Sequence, residues 1–273
     1  MTHSGADIAR LLAAHGLRPS RALGQNFVAD PNTVRRIARL AGVGPGDRVL
    51  EIGAGLGSLT LALAETGASV VAVEADRHLI PVLRSVTDPS SVEVVEGDAT
   101  RIDLVALLSD RGGGEWSLVA NLPYNVATPL VLRTLVEVDA VTRVLVMVQR
   151  EVGERMAAQV GDAAYGSVSV RIAYFARAEV VGHVPASVFV PRPRVESVLV
   201  RLDRLPSPAV DPALVSYERL EAVIRAGFGH RRKMLRRSLA GIVEPEAFAR
   251  AGVRPDARAE ELRVAEWGRL AAL

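Results

Sequence analysis

Residues 48–75 read RVLEIGAGLGSLTLALAETGASVVAVEA. The first apolar run, RVLEIG (48–53), breaks at the closely spaced glycines Gly53, Gly55 and Gly57. LGSLTLALAET (56–66) then has the composition of a helix, and SVVAVEA (69–75) is again β-branched and short. Strand, tight turn, helix, strand is the unit that joins two parallel strands by a crossover.

The alternation continues downstream. DRHLIPVLRSV (76–86) reads as a helix with Pro81 out of place, VEVVEGDA (92–99) as a strand and IDLVALLSD (102–110) as a short helix. SLVANLP (117–123) and TRVLVMVQ (142–149) are further strands, and each is followed by a helical stretch, TPLVLRTLVEV (128–138) and REVGERMAAQV (150–160). Strand-like runs at 178–184 and 196–202 would close the sheet as an antiparallel hairpin at one edge. The expected class is α/β, a mostly parallel doubly wound sheet covered on both faces.

Upstream, residues 5–15 read as an amphipathic helix, 18–29 as an irregular polar segment, and Asp30-Pro31 as the cap and first turn of a helix to about Leu40. Downstream, RLPSPAVDPALV (204–215) has three prolines and no periodicity, so it reads as a linker. The chain beyond it is helical in pattern. The expected organisation is a catalytic domain over 1–205, with a helical extension at 1–45, and a small all-α domain over 206–273.

Composition narrows the chemistry. The 273 residues are 49% hydrophobic, enough for a sizeable core. The absence of cysteine excludes disulfides, thiolate metal sites and a thiol nucleophile. The histidines His3, His15, His78, His183 and His230 are scattered, with no pair at ligand spacing, so no metal is expected. No basic flank precedes a long apolar run at the N-terminus, and no uncharged run is long enough to span a bilayer. A cytoplasmic monomer without membrane contact is the expectation. Net charge is only +2, but the cations cluster at Arg35, Arg36 and Arg39, at Arg192 and Arg194, and at Arg231, Arg232, Lys233, Arg236 and Arg237. Lys233 is the sole lysine.

The glycine turn follows a strand end, where open α/β sheets bind ligands. Its spacing, G-x-G-x-G after Glu51, differs from the G-x-G-x-x-G that cradles a pyrophosphate. It looks more like the loop that holds S-adenosylmethionine in Rossmann-like methyltransferases. An unliganded tight turn would also use glycines. Two more strand-end acids favour the cofactor. Glu74 stands where a carboxylate accepts ribose hydroxyls, and Asp98 where one accepts an adenine amino group, although a strand-end acid can also cap a helix.

The strand after these ends in Asn121-Leu122-Pro123-Tyr124-Asn125. An adenine N6 lone pair is delocalised into its ring. A side-chain carbonyl from Asn121 and the backbone carbonyl of Leu122 can accept its two hydrogens and turn the lone pair toward a methyl donor. Pro123 stiffens the turn, and Tyr124 can stack on a flipped base. The bland alternative is an Asn-Pro turn beside a core tyrosine.

With these residues in hand, the chain resembles the ribosomal RNA adenine N6,N6-dimethyltransferases of the KsgA/RsmA type. The resemblance runs through Gly24-Gln25-Asn26-Phe27, EIGAGLG (51–57), Glu74, GDA (97–99), NLPYN (121–125), QREV (149–152), YGSVSV (165–170), VPASVFVPRPRVES (184–197) and FGHRRKMLRRSL (228–239). It implies a Rossmann-like methyltransferase domain with a small helical C-terminal domain. The implied activity is dimethylation of two adjacent adenines in the 3′-terminal hairpin of 16S rRNA, within an assembling small ribosomal subunit. It also implies that Asn26, the backbone at Val28, Gly53, Gly55, Glu74, Asp98 and Asn121 hold S-adenosylmethionine, and that Phe189 stacks opposite Tyr124. Ala54 stands where a proline is frequent, and Val28 where a larger aliphatic is usual.

The run 230–237 covers much of a helix circumference with charge, which suits phosphate neutralisation, or merely a solvated face. Three rivals remain open. A 23S rRNA methyltransferase of the macrolide-resistance type usually has isoleucine in place of Leu122. A ribosome-assembly factor with dispensable catalysis would keep the same motifs. An NAD-dependent enzyme is disfavoured by the glycine spacing.

Overall fold

The computed structural model describes residues 2–20, 23–230 and 233–273. By its contacts the chain divides into two compact units, Met1–Gly153 with Glu179–Asp203, and Glu154–Ala178 with Arg204–Leu273.

In the first unit, α1 (Gly5–Ala14) starts at Ser4, whose hydroxyl and Asp7 form a reciprocal capping box. β1 (Phe27–Val28) leads into α2 (Pro31–Ala41), where the Asp30 carboxylate accepts the Asn32 and Thr33 amides and Pro31 fills the first turn. The alternating series then runs β2 (Arg48–Ile52), α3 (Ser58–Ala64), β3 (Ser69–Glu74), α4 (Ile80–Val86), β4 (Val92–Glu96) and α5 (Leu104–Ser109). It continues with β5 (Trp116–Asn121), α6 (Ala127–Glu137), β6 (Val141–Gln149) and α7 (Arg150–Ala157). After α8 (Ser167–Phe175) come β7 (Ala176–Val184), β8 (Phe189–Val190) and β9 (Ser197–Arg204).

The sheet order is β4-β3-β2-β5-β6-β9-β7, and β1 pairs separately with β8. β2, β3, β4, β5 and β6 run parallel, while β9 lies antiparallel on β6. This is the Rossmann-like methyltransferase fold, with β9 and then β7 closing the edge beyond β6. Its central strands are almost wholly apolar because both faces are covered. From the adjacent strands β2 and β5 the chain departs in opposite directions, to β3 and to β6. A crevice therefore opens at their carboxyl ends.

The second unit packs α8, α9 (Tyr217–Gly229), α10 (Leu235–Ser238), α11 (Pro245–Ala251) and α12 (Val264–Ala271) around a fully buried Trp267. A Cβ at Gly227 would run into the Trp267 ring.

Four details differ from the sequence expectation. Pro81 opens α4 rather than interrupting a longer helix, since a proline in the first turn forfeits no intrahelical bond. The boundary at 205/206 divides the chain differently from the contacts, which group 154–178 with the C-terminal helices through Tyr165, Val170 and Tyr174. The proline-rich stretch 204–215 is no free linker, because Val210 and Val215 are buried in that same core. Of the basic run, only Leu235–Ser238 is helical among the described residues, with Leu235 and Leu239 turned inward.

Candidate active site

At the carboxyl ends of β2, β3 and β5 lies a cavity of about 310 Å³. That is the lower end of the volume of small-ligand sites. Its wall includes Asn26, Val28, Gly53, Gly55, Glu74, Asp98, Asn121, Leu122, Pro123 and Tyr124, so the fold brings these predicted residues together. Gly53 and Gly55 have φ of 77° and 59°, a conformation that side chains rarely adopt. At Gly55 a Cβ would also stand 3.1 Å from the Phe27 ring.

Glu74 is 7% exposed. Its carboxylate accepts the amides of Gly55 at 2.7 Å and Asp76 at 2.8 Å. Burial raises its pKa, and the two amides act against that rise. Asp98 is more open, and its Oδ1 accepts both the hydroxyl and the amide of Thr100. Those bonds hold its pKa below the usual carboxylate range.

The β5 end is fixed by a bond across the crevice. Asn121 Nδ2 donates to the Asn26 carbonyl at 3.1 Å, which leaves Oδ1 as the acceptor facing elsewhere. Gly24 packs closely on Pro123, and Asn26 Nδ2 donates back to the Gly24 carbonyl. The segment before β1 is thereby laced over the Asn121–Tyr124 turn. Tyr124 is half-buried, and its hydroxyl lies 3.1 Å from Ser197 Oγ.

This constellation sits in a chain whose residues 17–273 match the family model described as ribosomal RNA adenine dimethylase. The chain belongs to that family. It is 45% identical to ribosomal RNA small subunit methyltransferase A of Bifidobacterium adolescentis, over 97% of this chain and 92% of that protein. Its identity to the Thermobifida fusca protein of the same name is 46%, over 97% and 94%. Among solved structures it resembles a dimethyladenosine transferase from Plasmodium falciparum (TM-score 0.74, 23% identity, 88% and 94% covered) and the 23S rRNA methyltransferase ErmE (0.70, 26%, 90% and 98%). The chain is thus a methyltransferase of the KsgA/RsmA family, whose activity is adenine dimethylation of ribosomal RNA.

One residue implied by the family resemblance is placed otherwise. Phe189 is 3% exposed, lies outside the cavity wall and belongs to the apolar core with Val28 and Val34. A ring enclosed on all sides offers no face to a base, so the stacking role does not fit this arrangement. Of the basic run, Lys233, Arg236 and Arg237 are exposed, while Arg231 and Arg232 lie outside the described residues.

Sequence reasoning passed over four residues of this dimethylase site. Phe27 lines the cavity beside Gly55. In a chain only 4% aromatic, its place next to Asn26 was a usable signal. Ser197 positions Tyr124. Arg133 on α6 donates to the carbonyls of Ala99 at 2.9 Å and Ile102 at 3.0 Å, pinning the loop that carries Asp98; nothing local in the sequence marks it. Glu51 is the fourth. It lines the cavity at 1% exposure, with Oε2 unpartnered among the described residues.

Burial pushes the Glu51 carboxyl up to about 8; the Thr60 hydroxyl opposes the rise, and the nearby Glu74 charge adds to it. Between the usual value of 4.5 and about 8, the folded protein holds a proton that the unfolded chain has released. Stability conferred by the protonated form is therefore lost as pH rises through that window. Glu51→Gln, which cannot ionise, should melt several degrees above wild type at about pH 9, with the gap closing toward pH 4.5. Thermal melts of both proteins without ligand across that range check this. A pH-independent gap would mean that Glu51 does not titrate there.

Proposed function

We propose that the chain transfers methyl groups from S-adenosylmethionine to the N6 atoms of two adjacent adenines in the 3′-terminal hairpin of 16S rRNA, acting as a cytoplasmic monomer on an assembling small ribosomal subunit. The observation that carries the reading is the shared cavity. The two strand-end carboxylates and the Asn121–Tyr124 turn face one space, so a cofactor and a base can meet there.

The residues fit the cofactor. Glu74 can accept a ribose diol with the lone pairs its two amide bonds leave over, and Asp98 can accept an amino group. Gly53 and Gly55 hold positive φ in the cavity wall, which lets the backbone approach a ligand closely, and the orphaned Glu51 oxygen suits a cationic methionyl moiety. Bound there, S-adenosylmethionine supplies an electrophilic methyl group on a sulfonium.

The chain's own work is orientation. Asn121 Oδ1 accepts one N6 hydrogen and the Leu122 carbonyl the other, which turns the lone pair out of the ring. The Asn26 carbonyl holds the Asn121 amide in the required sense. Tyr124 stacks on the base, with its ring angle set by Ser197. No base need act before attack, and the proton leaves N6 afterwards to solvent.

Two observations favour 16S over 23S rRNA. The relatives at 45–46% identity are named small subunit methyltransferases, whereas the 23S enzyme ErmE is at 26%. Leu122 also stands where the 23S type usually has isoleucine. Methyl incorporation should occur with undermethylated small subunits and not with large subunits; the reverse would favour the 23S alternative. Complementation by a catalytically dead variant would favour an assembly role.

The basic run supplies a further test. If Arg231, Arg232, Lys233, Arg236 and Arg237 neutralise phosphates, changing all five to Gln should flatten the salt dependence of subunit binding by about 0.7–0.9 per lost contact. S-adenosylmethionine affinity should stay unchanged. An unaltered slope would leave the run a solvated face.

A further inference from the structure

Residues 191–196, PRPRVE, form a loop tied at both ends to the cavity wall. At its start Val190 pairs with Phe27, whose ring backs Gly55. At its end the Ser197 hydroxyl meets Tyr124, and the Glu196 carbonyl accepts the Arg150 amide at 3.0 Å, where β6 gives way to α7. Six residues reach about 20 Å even when fully extended, and this loop must return to its second anchor. Its backbone therefore stays within about 10 Å of Phe27 and Tyr124, two residues of the cavity wall.

Arg192 and Arg194 are both exposed. Neither takes part in any of the ion pairs found among the described residues. The loop's one carboxylate, Glu196, is already engaged by the Arg150 guanidinium at 3.6 Å. Pro191 and Pro193 fix φ on either side of Arg192, so little backbone freedom is lost when the arginines bind. Val190 and Val195 are exposed alongside them. Guanidiniums presented in this way match phosphate oxygens, which they can bind through two donors at once.

We propose that Arg192 and Arg194 form a phosphate clamp at the mouth of the cavity, gripping the RNA backbone beside the adenine that enters it. This rests on the reading of the cavity as the site of RNA methylation. It adds a second cationic contact, separate from the basic run at 230–237.

The test compares wild type with Arg192→Gln/Arg194→Gln, using undermethylated small subunits as substrate. The KM for subunits should rise about tenfold with kcat little changed, and the slope of log KM against log salt should fall by about 1.4, two single-strand contacts at about 0.7 each. Calorimetric affinity for S-adenosylmethionine should not move. Arg192→Lys/Arg194→Lys should restore most of the salt slope, because the charge remains. If the double Gln variant melts early, the single variants carry the same test, each with about half the change in slope. Wild-type KM and salt slope in the Gln variants would overturn the clamp alone. A wild-type protein that methylates no RNA would overturn the reading beneath it, and the clamp with it.

Discussion

Tyr124→Ala should lower methyl transfer about 5- to 150-fold, the equivalent of the roughly 1–3 kcal/mol that one base–aromatic stack is worth. S-adenosylmethionine affinity should hold, because the strand-end carboxylates are untouched. Tyr124→Phe keeps the ring and loses only the contact with Ser197, so its effect should be mild, near 1 kcal/mol or less. Asn121→Ala should act differently. It removes an acceptor that matters most as N6 attacks, so kcat should fall on the order of a hundredfold with little change in KM for RNA. If Tyr124 were only a core residue, Tyr124→Ala would melt several degrees lower and recover full turnover when cooled. Turnover, cofactor affinity and melting temperature on these three variants separate the two accounts.

Glu74→Ala should cost the most in cofactor binding. A carboxylate accepting two ribose hydroxyls makes charge-assisted bonds worth on the order of 1.5–3 kcal/mol each before water compensates. The same carboxylate also orders the glycine loop through the Gly55 amide. Affinity should fall at least about tenfold, and by more if the loop loosens. Glu74→Gln can still accept at one oxygen and should fall between alanine and wild type. Unchanged calorimetric affinity in Glu74→Ala would refute the assignment.

The alternation of elements is legible because the central strands are short, apolar and bounded by turn residues, and because some helices carry a start signal, as at Asp30-Pro31. The strand-end positions of Glu74, Asp98 and Asn121 followed directly, since the sheet order places their ends on one rim. Phe189 was not legible. Whether its ring faces the cavity or the core depends on the pairing of β8 with β1, a long-range register that local sequence does not encode. The same holds for Arg133, whose role rests on carbonyls some thirty residues away. The grouping of 154–178 with the C-terminal helices is not legible, because a helix pattern reveals that one face is apolar, not which core receives it.

The most direct test of the account is to incubate the protein with S-adenosylmethionine and undermethylated small ribosomal subunits, digest the RNA and identify the modified nucleoside by mass spectrometry. The account predicts N6,N6-dimethyladenosine, present with wild type and strongly reduced with Asn121→Ala. Methylation at another atom or another base, or an undiminished yield from Asn121→Ala, would contradict it.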